Sequence, residues 1–324
     1  MPQSPIAIAP TTEFIRVPTS ILRTLEKTCV DLFLQYDKAE LPVLYCDAGY
    51  PLSGDRIQNL ASDQEALFVR ASDYADFSQD LANSLEAALE DERLPVTNRY
   101  ELLQCAVSVE IEHSLRMVNC DYYVAQTETI AGQIVGLFDG NQVLPAELFD
   151  IVRHDHNTFV HVTNVAGYVI LLAKELGYND PDELEKIAIG GLLHDLGKRK
   201  IPSAILNKTS RLTPQEWECI KQHPQAGYEE LYLRDNLDHG QLMMVYQHHE
   251  HLSGKGYPVG ITEEEIHPWA KMLAVVDVFD ALTGKRPYRN PISSDEALEI
   301  VARGAGTQFD KEIVACWASA MQQR

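Results

Sequence analysis

The chain has 324 residues, enough for two ordinary domains, and 45% of them are hydrophobic. This composition supplies a packed core and excludes a globally disordered protein. The net charge of −21 excludes the broad basic face with which proteins bind long polyanions such as duplex DNA. A small anionic substrate stays compatible with this charge if a few cations gather in one cleft.

The N-terminus and the cysteines indicate the cellular compartment. The opening residues MPQSPIAIAPTTEF lack the basic start and apolar run of a signal peptide. No apolar stretch reaches the roughly 18 residues that a membrane-spanning helix needs. The six cysteines are scattered along the chain, which favours reduced thiols over disulfides. We therefore expect a cytoplasmic protein that does not bind a membrane.

The first part of the chain mixes strand and helix signals. The runs LPVLYC (41–46) and ALFVR (66–70) are typical of strands, and an amphipathic helical pattern precedes them. These signals predict a small α+β module over residues 1–71. Helical patterns follow without strand signals, and they predict bridging helices over residues 72–145.

Residues 146–324 show helical periodicity almost throughout. The clearest amphipathic run is HVTNVAGYVILLAKELGY, with Gly177 as its predicted C-cap. The alternation that a half-buried sheet needs is missing from this half of the sequence. We therefore predict a mainly α protein in which residues 146–324 form an all-α domain.

Histidines and aspartates in this second half recur where transition metals would bind. Ten of the eleven histidines lie between residues 154 and 267. His194 and Asp195 end an apolar run, and a carboxylate such as Asp195 has two oxygens with which it can bridge two ions. Asp277 lies inside the apolar segment MLAVVDVFDAL, where a buried charge needs compensation by a metal, a salt bridge or a helix cap.

Together these side chains predict a site for two metal ions with open positions. Adjacent helical residues point about 100° apart, so a histidine doublet suits two ions more easily than one. Mixed nitrogen and oxygen ligands favour iron or manganese over a closed tetrahedral zinc site. The seven candidate ligands are His161, His194, Asp195, His223, His248, His249 and Asp277.

The motifs around these candidates resemble the HD-GYP family, a branch of the HD superfamily of metal-dependent phosphohydrolases. The matching segments occur in the family's order and spacing over roughly residues 150–315, about half of the chain. The segments are HVTNVAGYVILLAKELG, LLHDLGKRKIPSAILNKTSRLTPQEW, KQHPQAGYEEL, YQHHEHLSGKGYPVGI, AVVDVFDALTGKRPYR and GTQFD.

The resemblance implies an all-α enzyme that hydrolyses cyclic di-GMP to linear pGpG, GMP or both by means of a metal-bridging hydroxide. It matches the seven candidates to metal ligands, with Asp195 as the bridging and catalytic carboxylate. It matches Lys198 to a catalytic lysine beside the reacting phosphate. The residues that it matches to substrate binding are Gly256, Tyr257, Pro258, Arg286 and Arg289.

The sequence departs from the family pattern at two places. Family members with a third metal carry a glutamate four residues before the first helical histidine, where this chain has Asn157. An amide is a poor ligand for such a metal, so two ions are expected, although one of His154, Asp155 and His156 could substitute. His251 and Ser253 replace the usual arginine and aspartate of the loop after the histidine doublet, which puts local loop packing in question.

Other functions stay open from the sequence. The same centre could hydrolyse another cyclic dinucleotide or a linear nucleotide, or the domain could bind cyclic di-GMP and signal without turnover. The N-terminal module could bind a signalling partner or form a homodimer. No nucleic-acid polymer is expected as a partner.

Overall fold

The computed structural model describes residues 14–17, 27–35, 41–51 and 66–323, apart from short gaps. The gaps are residues 92, 97, 101, 105, 108–119, 140–142, 144, 153–157, 207, 209 and 285–290. The chain divides into two compact units, Met1–Leu94 and Pro95–Arg324. The division falls inside the predicted bridging segment 72–145.

The first unit contains a four-stranded antiparallel sheet in the order β1-β4-β2-β3. Its strands are β1 Phe14–Val17, β2 Leu32–Gln35, β3 Val43–Cys46 and β4 Ala66–Arg70, and helix α1 spans Tyr74–Glu90. Apolar strand side chains such as Leu32, Leu67 and Val69 are fully buried. The strands predicted over residues 41–46 and 66–70 are thus observed as β3 and β4, whereas β2 lies where the amphipathic pattern predicted a helix, and α1 lies in the predicted bridging segment.

The second unit is helical over the residues that are described, which confirms the predicted mainly α fold. Its helices are α2 Asp121–Phe138, α3 Pro145–Val152, α4 Thr158–Glu175, α5 Pro181–Leu193, α6 Ser203–Leu206, α7 Pro214–Ile220, α8 His223–Leu231, α9 His239–Gln247, α10 Pro268–Thr283, α11 Ser294–Arg303 and α12 Lys311–Gln322. Residues 98–100, 102–104 and 106–107 are also helical and are called here the Gln104 segment.

Local sequence signals explain where several helices begin and end. Asp180 caps α5 by accepting a hydrogen bond from the backbone of Asp182. Thr213 and Glu216 form a capping box at the start of α7. Gly177 takes a positive φ of 94° after α4, and the next amide donates to the carbonyl of Ala173. The predicted C-cap at Gly177 is therefore present.

Aromatic packing fixes α4 against α10. Tyr168 of α4, Phe279 of α10 and Trp317 of α12 are fully buried, with ring centroids 5.4–6.0 Å apart. Rings in this arrangement pack edge to face, which defines one register between the helices. This core holds side by side the two helices that carry His161 and Asp277.

Among the helices that the structure describes, none combines the length and the apolar character that crossing a bilayer requires.

Candidate metal centre

The first predicted ligand, His161, is buried in the first turn of α4 between two aspartates of α10. Its Nδ1 atom lies 2.6 Å from Oδ2 of Asp280, and its Nε2 atom lies 3.1 Å from Oδ1 of Asp277. The two aspartates are three residues apart on one face of α10. The imidazole is therefore held in one orientation, with Nε2 also 3.6 Å from Oδ2 of Asp195.

His194 and Asp195 follow directly after the last residue of α5. Helices α5 and α4 approach each other closely at Gly191. A Cβ added at this glycine would lie only 3.0 Å from the Cα of Ala166. The His194 ring lies 5.4 Å from that of His161 between centroids. Its Nδ1 atom lies 2.6 Å from the carbonyl oxygen of Gly191, and its Nε2 atom lies 3.5 Å from Oδ2 of Asp195.

Three further imidazoles come from α8 and from the end of α9. His223 begins α8, and its Nε2 atom lies 3.2 Å from Nε2 of His248. His249 lies 4.1 Å from His248 and 5.1 Å from His223 between ring centroids. A nitrogen from each of the three lies within 4.8 Å of the others, as needed for one shared ion.

Asp195 lies between these three imidazoles and the other two candidate histidines, His161 and His194. His161, His194 and Asp195 form a second group whose ligand atoms lie within 4.8 Å of one another. The other carboxylate oxygen of Asp195 lies 3.4 Å from Nε2 of His223, in the first group. Asp277 completes the arrangement, 3.9 Å from Nε2 of His194. The structure thus brings all seven predicted ligands together from helices far apart in sequence.

Backbone carbonyls determine which nitrogen of each ring carries the proton. Nδ1 of His194 faces Gly191, Nδ1 of His223 lies 2.8 Å from the oxygen of Ile220, and Nδ1 of His248 lies 2.9 Å from that of Val245. Since a carbonyl oxygen only accepts, each Nδ1 must be the donor. In the neutral ring the lone pair is then on Nε2, which faces the centre of the cluster.

Burial keeps the rings of His223, His248 and His249 neutral. It lowers the pKa of His223 to about 4 and that of His249 to about 3, and it lowers the pKa of His248 well below the usual range. Burial acts to raise the pKa of Asp195, but the ammonium of Lys198, 2.5 Å away, together with His194 and His223, holds that pKa well below the usual range. At neutral pH the cluster therefore combines unprotonated ring nitrogens with an ionised carboxylate.

This donor set fits bound metal ions. Nε2 of His194 and Oδ1 of Asp195 are buried and have no hydrogen-bond partner among the described residues. The Nε2 lone pairs of His223 and His248 face each other at 3.2 Å without a proton to share. Buried polar atoms of this kind are costly unless a partner satisfies them. Imidazole nitrogens and carboxylate oxygens are ligands that suit iron and manganese.

The predicted GYP loop lies against the histidine doublet. The ring of Tyr257 lies 4.7 Å from that of His249 between centroids, and its amide donates to the carbonyl of His249. Gly256 leaves no room for a side chain, because an added Cβ would lie 2.3 Å from the backbone nitrogen of His251. The peptide bond between Tyr257 and Pro258 is cis.

Some predicted residues fall outside the described part of the chain. Arg286 and Arg289 are among them, and so are Asn157 and the neighbouring residues 154–156. His251 and Ser253, the two departures in the loop, are described. The amide of Ser253 donates to the carbonyl of Thr307 at 2.9 Å, so that backbone bonding holds this loop.

Four residues near the centre were missed by the sequence interpretation. Asp280 contacts His161, and Asn164 donates a hydrogen bond to Asp280. Glu250 accepts hydrogen bonds from the amides of Val259 and Gly260. Trp217 lies 6.4 Å from Tyr257 between ring centroids. The spacing of Asp280, three residues after Asp277, was a usable signal for a shared helix face.

Comparisons with known proteins match mainly the second half of this chain. A family model described as HD domain matches residues 146–313. A cyclic di-GMP phosphodiesterase of Pseudomonas aeruginosa is 35% identical over 180 residues, covering 55% of this chain and 43% of that protein. A 3′3′-cGAMP-specific phosphodiesterase of Vibrio cholerae is 36% identical over 162 residues, covering 50% of this chain and 35% of that protein.

One solved structure is similar over nearly the whole chain. The HDG"Y"P protein from Bdellovibrio bacteriovorus superposes with a TM-score of 0.74 and 20% identity, covering 96% of this chain and 100% of that chain. At this identity the similarity concerns the fold alone. The chain spans less than half of the length of the first curated relatives that it matches.

Proposed function

Because the chain belongs to the HD domain family, in its HD-GYP branch, we propose that it hydrolyses a phosphodiester bond of cyclic di-GMP. The observation that carries the proposal is the convergence of seven candidate ligand side chains, whose imidazole nitrogens and carboxylate oxygens lie close together in one buried cluster. Relatives named as cyclic di-GMP phosphodiesterases support this choice of substrate. The products would be linear pGpG, GMP or both.

The seven side chains would hold two ions, iron or manganese. His223, His248 and His249 would serve one ion, and the remaining four ligands would serve the other. Asp195 would be shared, because its two oxygens face the two groups. When bound, two such ions would activate water as the nucleophile and neutralise charge on the phosphate. The protein's own part is to keep the imidazoles unprotonated and to direct them inward.

Lys198 is the cation nearest to this cluster among the described residues. It extends from a short 3-10 helix, Leu196–Lys200, and its ammonium is paired with Asp195. Its side chain is 23% exposed, so the charge is partly shielded from water and can also reach a phosphate bound beside Asp195. There it would stabilise negative charge as the phosphodiester bond breaks.

Replacement of Lys198 by methionine should lower kcat about 100-fold, because a charge that acts mainly in the transition state is removed. Steady-state kinetics with cyclic di-GMP would measure the effect. Lys200→Met is the matched control, since Lys200 is 55% exposed and pairs with Glu230. Equal rates for Lys198→Met and the control would exclude a catalytic role for Lys198.

The substrate would extend from the metal centre over the GYP loop. Tyr257 covers His249, and Trp217, 46% exposed, lies beyond Tyr257 toward solvent. Aromatic faces bind purine bases by stacking, so these two rings can receive the bases of a dinucleotide. The resemblance to the family adds Arg286 and Arg289 as cations for the phosphates, since guanidinium groups pair two phosphate oxygens at once.

Trp217→Ala should raise KM for cyclic di-GMP about tenfold and change kcat little, because the ring would bind a base away from the reacting phosphate. Tyr232→Ala is the control, since Tyr232 is a similarly exposed aromatic residue at 49% and packs on Tyr228. An unchanged KM in Trp217→Ala, or an equal rise in the control, would contradict this role.

A second substrate has support from the relatives. Phosphodiesterases of Vibrio cholerae named as 3′3′-cGAMP-specific are 36% and 38% identical to this chain over their matched residues. Turnover of cyclic di-GMP and 3′3′-cGAMP by protein loaded with iron or manganese would decide between them. Tight binding of cyclic di-GMP without turnover would instead identify a receptor.

We also propose that the protein is cytoplasmic. Its N-terminal module would bind a signalling partner or form a homodimer.

A further inference from the structure

A buried relay of side chains connects His161 with the Gln104 segment, which precedes the HD-matched residues 146–313. Nδ1 of His161 lies 2.6 Å from Oδ2 of Asp280. Oδ1 of Asp280 accepts a hydrogen bond of 2.9 Å from the amide of Asn164, and Oδ1 of Asn164 accepts one from Nε2 of Gln104. All four side chains are at most 6% exposed.

The carboxylate of Asp280 sets the direction of every bond in this relay. Its two oxygens take one partner each, so Asn164 turns its NH2 group toward Oδ1 and His161 presents Nδ1–H to Oδ2. The oxygen of Asn164 then faces the Gln104 segment, where only a donor can satisfy it. Gln104 supplies that donor through Nε2. The bond from Gln104 therefore agrees with the orientation that Asp280 gives to the amide of Asn164.

The relay can act on the metal centre because its members share two helix faces with the candidate ligands. His161 and Asn164 are three residues apart on α4, and Asp277 and Asp280 are three residues apart on α10. Asp280 fixes the tautomer and the orientation of His161, as hydrogen-bonded partners of metal-ligating histidines generally do. Loss of the Gln104 bond would leave the buried oxygen of Asn164 without that donor, and the side chain of Asn164 would then hold Asp280 less firmly.

We propose that Gln104 is a positioning residue of the metal centre, acting on His161 through Asn164 and Asp280. The inference rests on the metal centre of the proposed function, but not on which nucleotide is cleaved. The functional unit then includes the Gln104 segment in addition to residues 146–313.

The test is the affinity of the 324-residue chain for manganese, measured by titration of metal-free protein. Gln104→Met keeps the length of the side chain and removes the donor, and it should raise the Kd for manganese about tenfold. Tyr100→Phe is the matched control. The Tyr100 hydroxyl joins the Gln104 segment to α4 by a 2.8 Å bond to the carbonyl of Thr163, outside the relay. Both variants should melt at a lower temperature without metal, but only Gln104→Met should bind manganese more weakly.

A double variant tests the path of the effect. In an Asn164→Leu background, Gln104→Met should raise the Kd no further, because the connection to Asp280 is already broken. An unchanged Kd in Gln104→Met, or an equal rise in Tyr100→Phe, would overturn the relay while leaving the metal centre in place. A wild-type chain that takes up no manganese or iron would overturn the metal centre itself.

Discussion

Asp195→Ala should lose turnover of cyclic di-GMP by at least about a thousandfold. The side chain supplies an oxygen to each of the two ligand groups, 3.5 Å from Nε2 of His194 and 3.4 Å from Nε2 of His223. Alanine would remove both oxygens and leave the Lys198 ammonium without its partner. Product chromatography combined with elemental analysis would measure turnover and metal content on the same samples.

An exposed aspartate supplies the control for this experiment. Asp235 lies outside the cluster, and Asp235→Ala should retain about two metals per chain and full turnover. The wild-type chain should show the same values. Unchanged turnover in Asp195→Ala would refute the proposed mechanism, and full metal content in that variant would refute the shared carboxylate.

Gly197→Ala should destabilise the second unit and disturb the metal centre at once. A Cβ at this position would lie 2.0 Å from the carbonyl oxygen of His223 and 2.6 Å from the backbone nitrogen of Gly227. Both atoms belong to the backbone of α8, which cannot move aside as a flexible side chain could. Overpacking of this kind costs up to about 3 kcal/mol of unfolding free energy. Because α8 begins at His223, metal content and turnover should fall as well.

Urea unfolding followed by circular dichroism would measure this loss of unfolding free energy. The control is a glycine with free space around it. Gly136 lies on the exposed side of α2, with no heavy atom within 4 Å of an added Cβ. Gly136→Ala should therefore stabilise the protein by about 0.5–1 kcal/mol through its higher helix propensity. If Gly197→Ala unfolds at the same urea concentration as the wild type, the close approach of Gly197 to α8 is not needed for the fold.

Much of the architecture and of the candidate ligand set was accessible from local patterns. Periodicity over residues 146–324 predicted helices, and the structure confirms a mainly α unit. The matched HD domain and the named relatives confirm the family that the motifs around His194 and His248 resemble. Buried aspartates such as Asp277 were identifiable because a charge inside an apolar helix requires compensation. These inferences need only neighbours within a few residues, which the helix repeat places on one face.

The partners of those ligands depend on contacts across long stretches of chain. Asp280 meets His161 from 119 positions away, and Gln104 meets Asn164 from 60 positions away. Helical periodicity assigns each residue to a face but leaves open which face meets which, and at what register. Close packing between helices decides this, through contacts such as that of Phe279 with Tyr168. For that reason the tautomer-setting carboxylate, and the glutamine that orients its neighbour, became visible only in the folded chain.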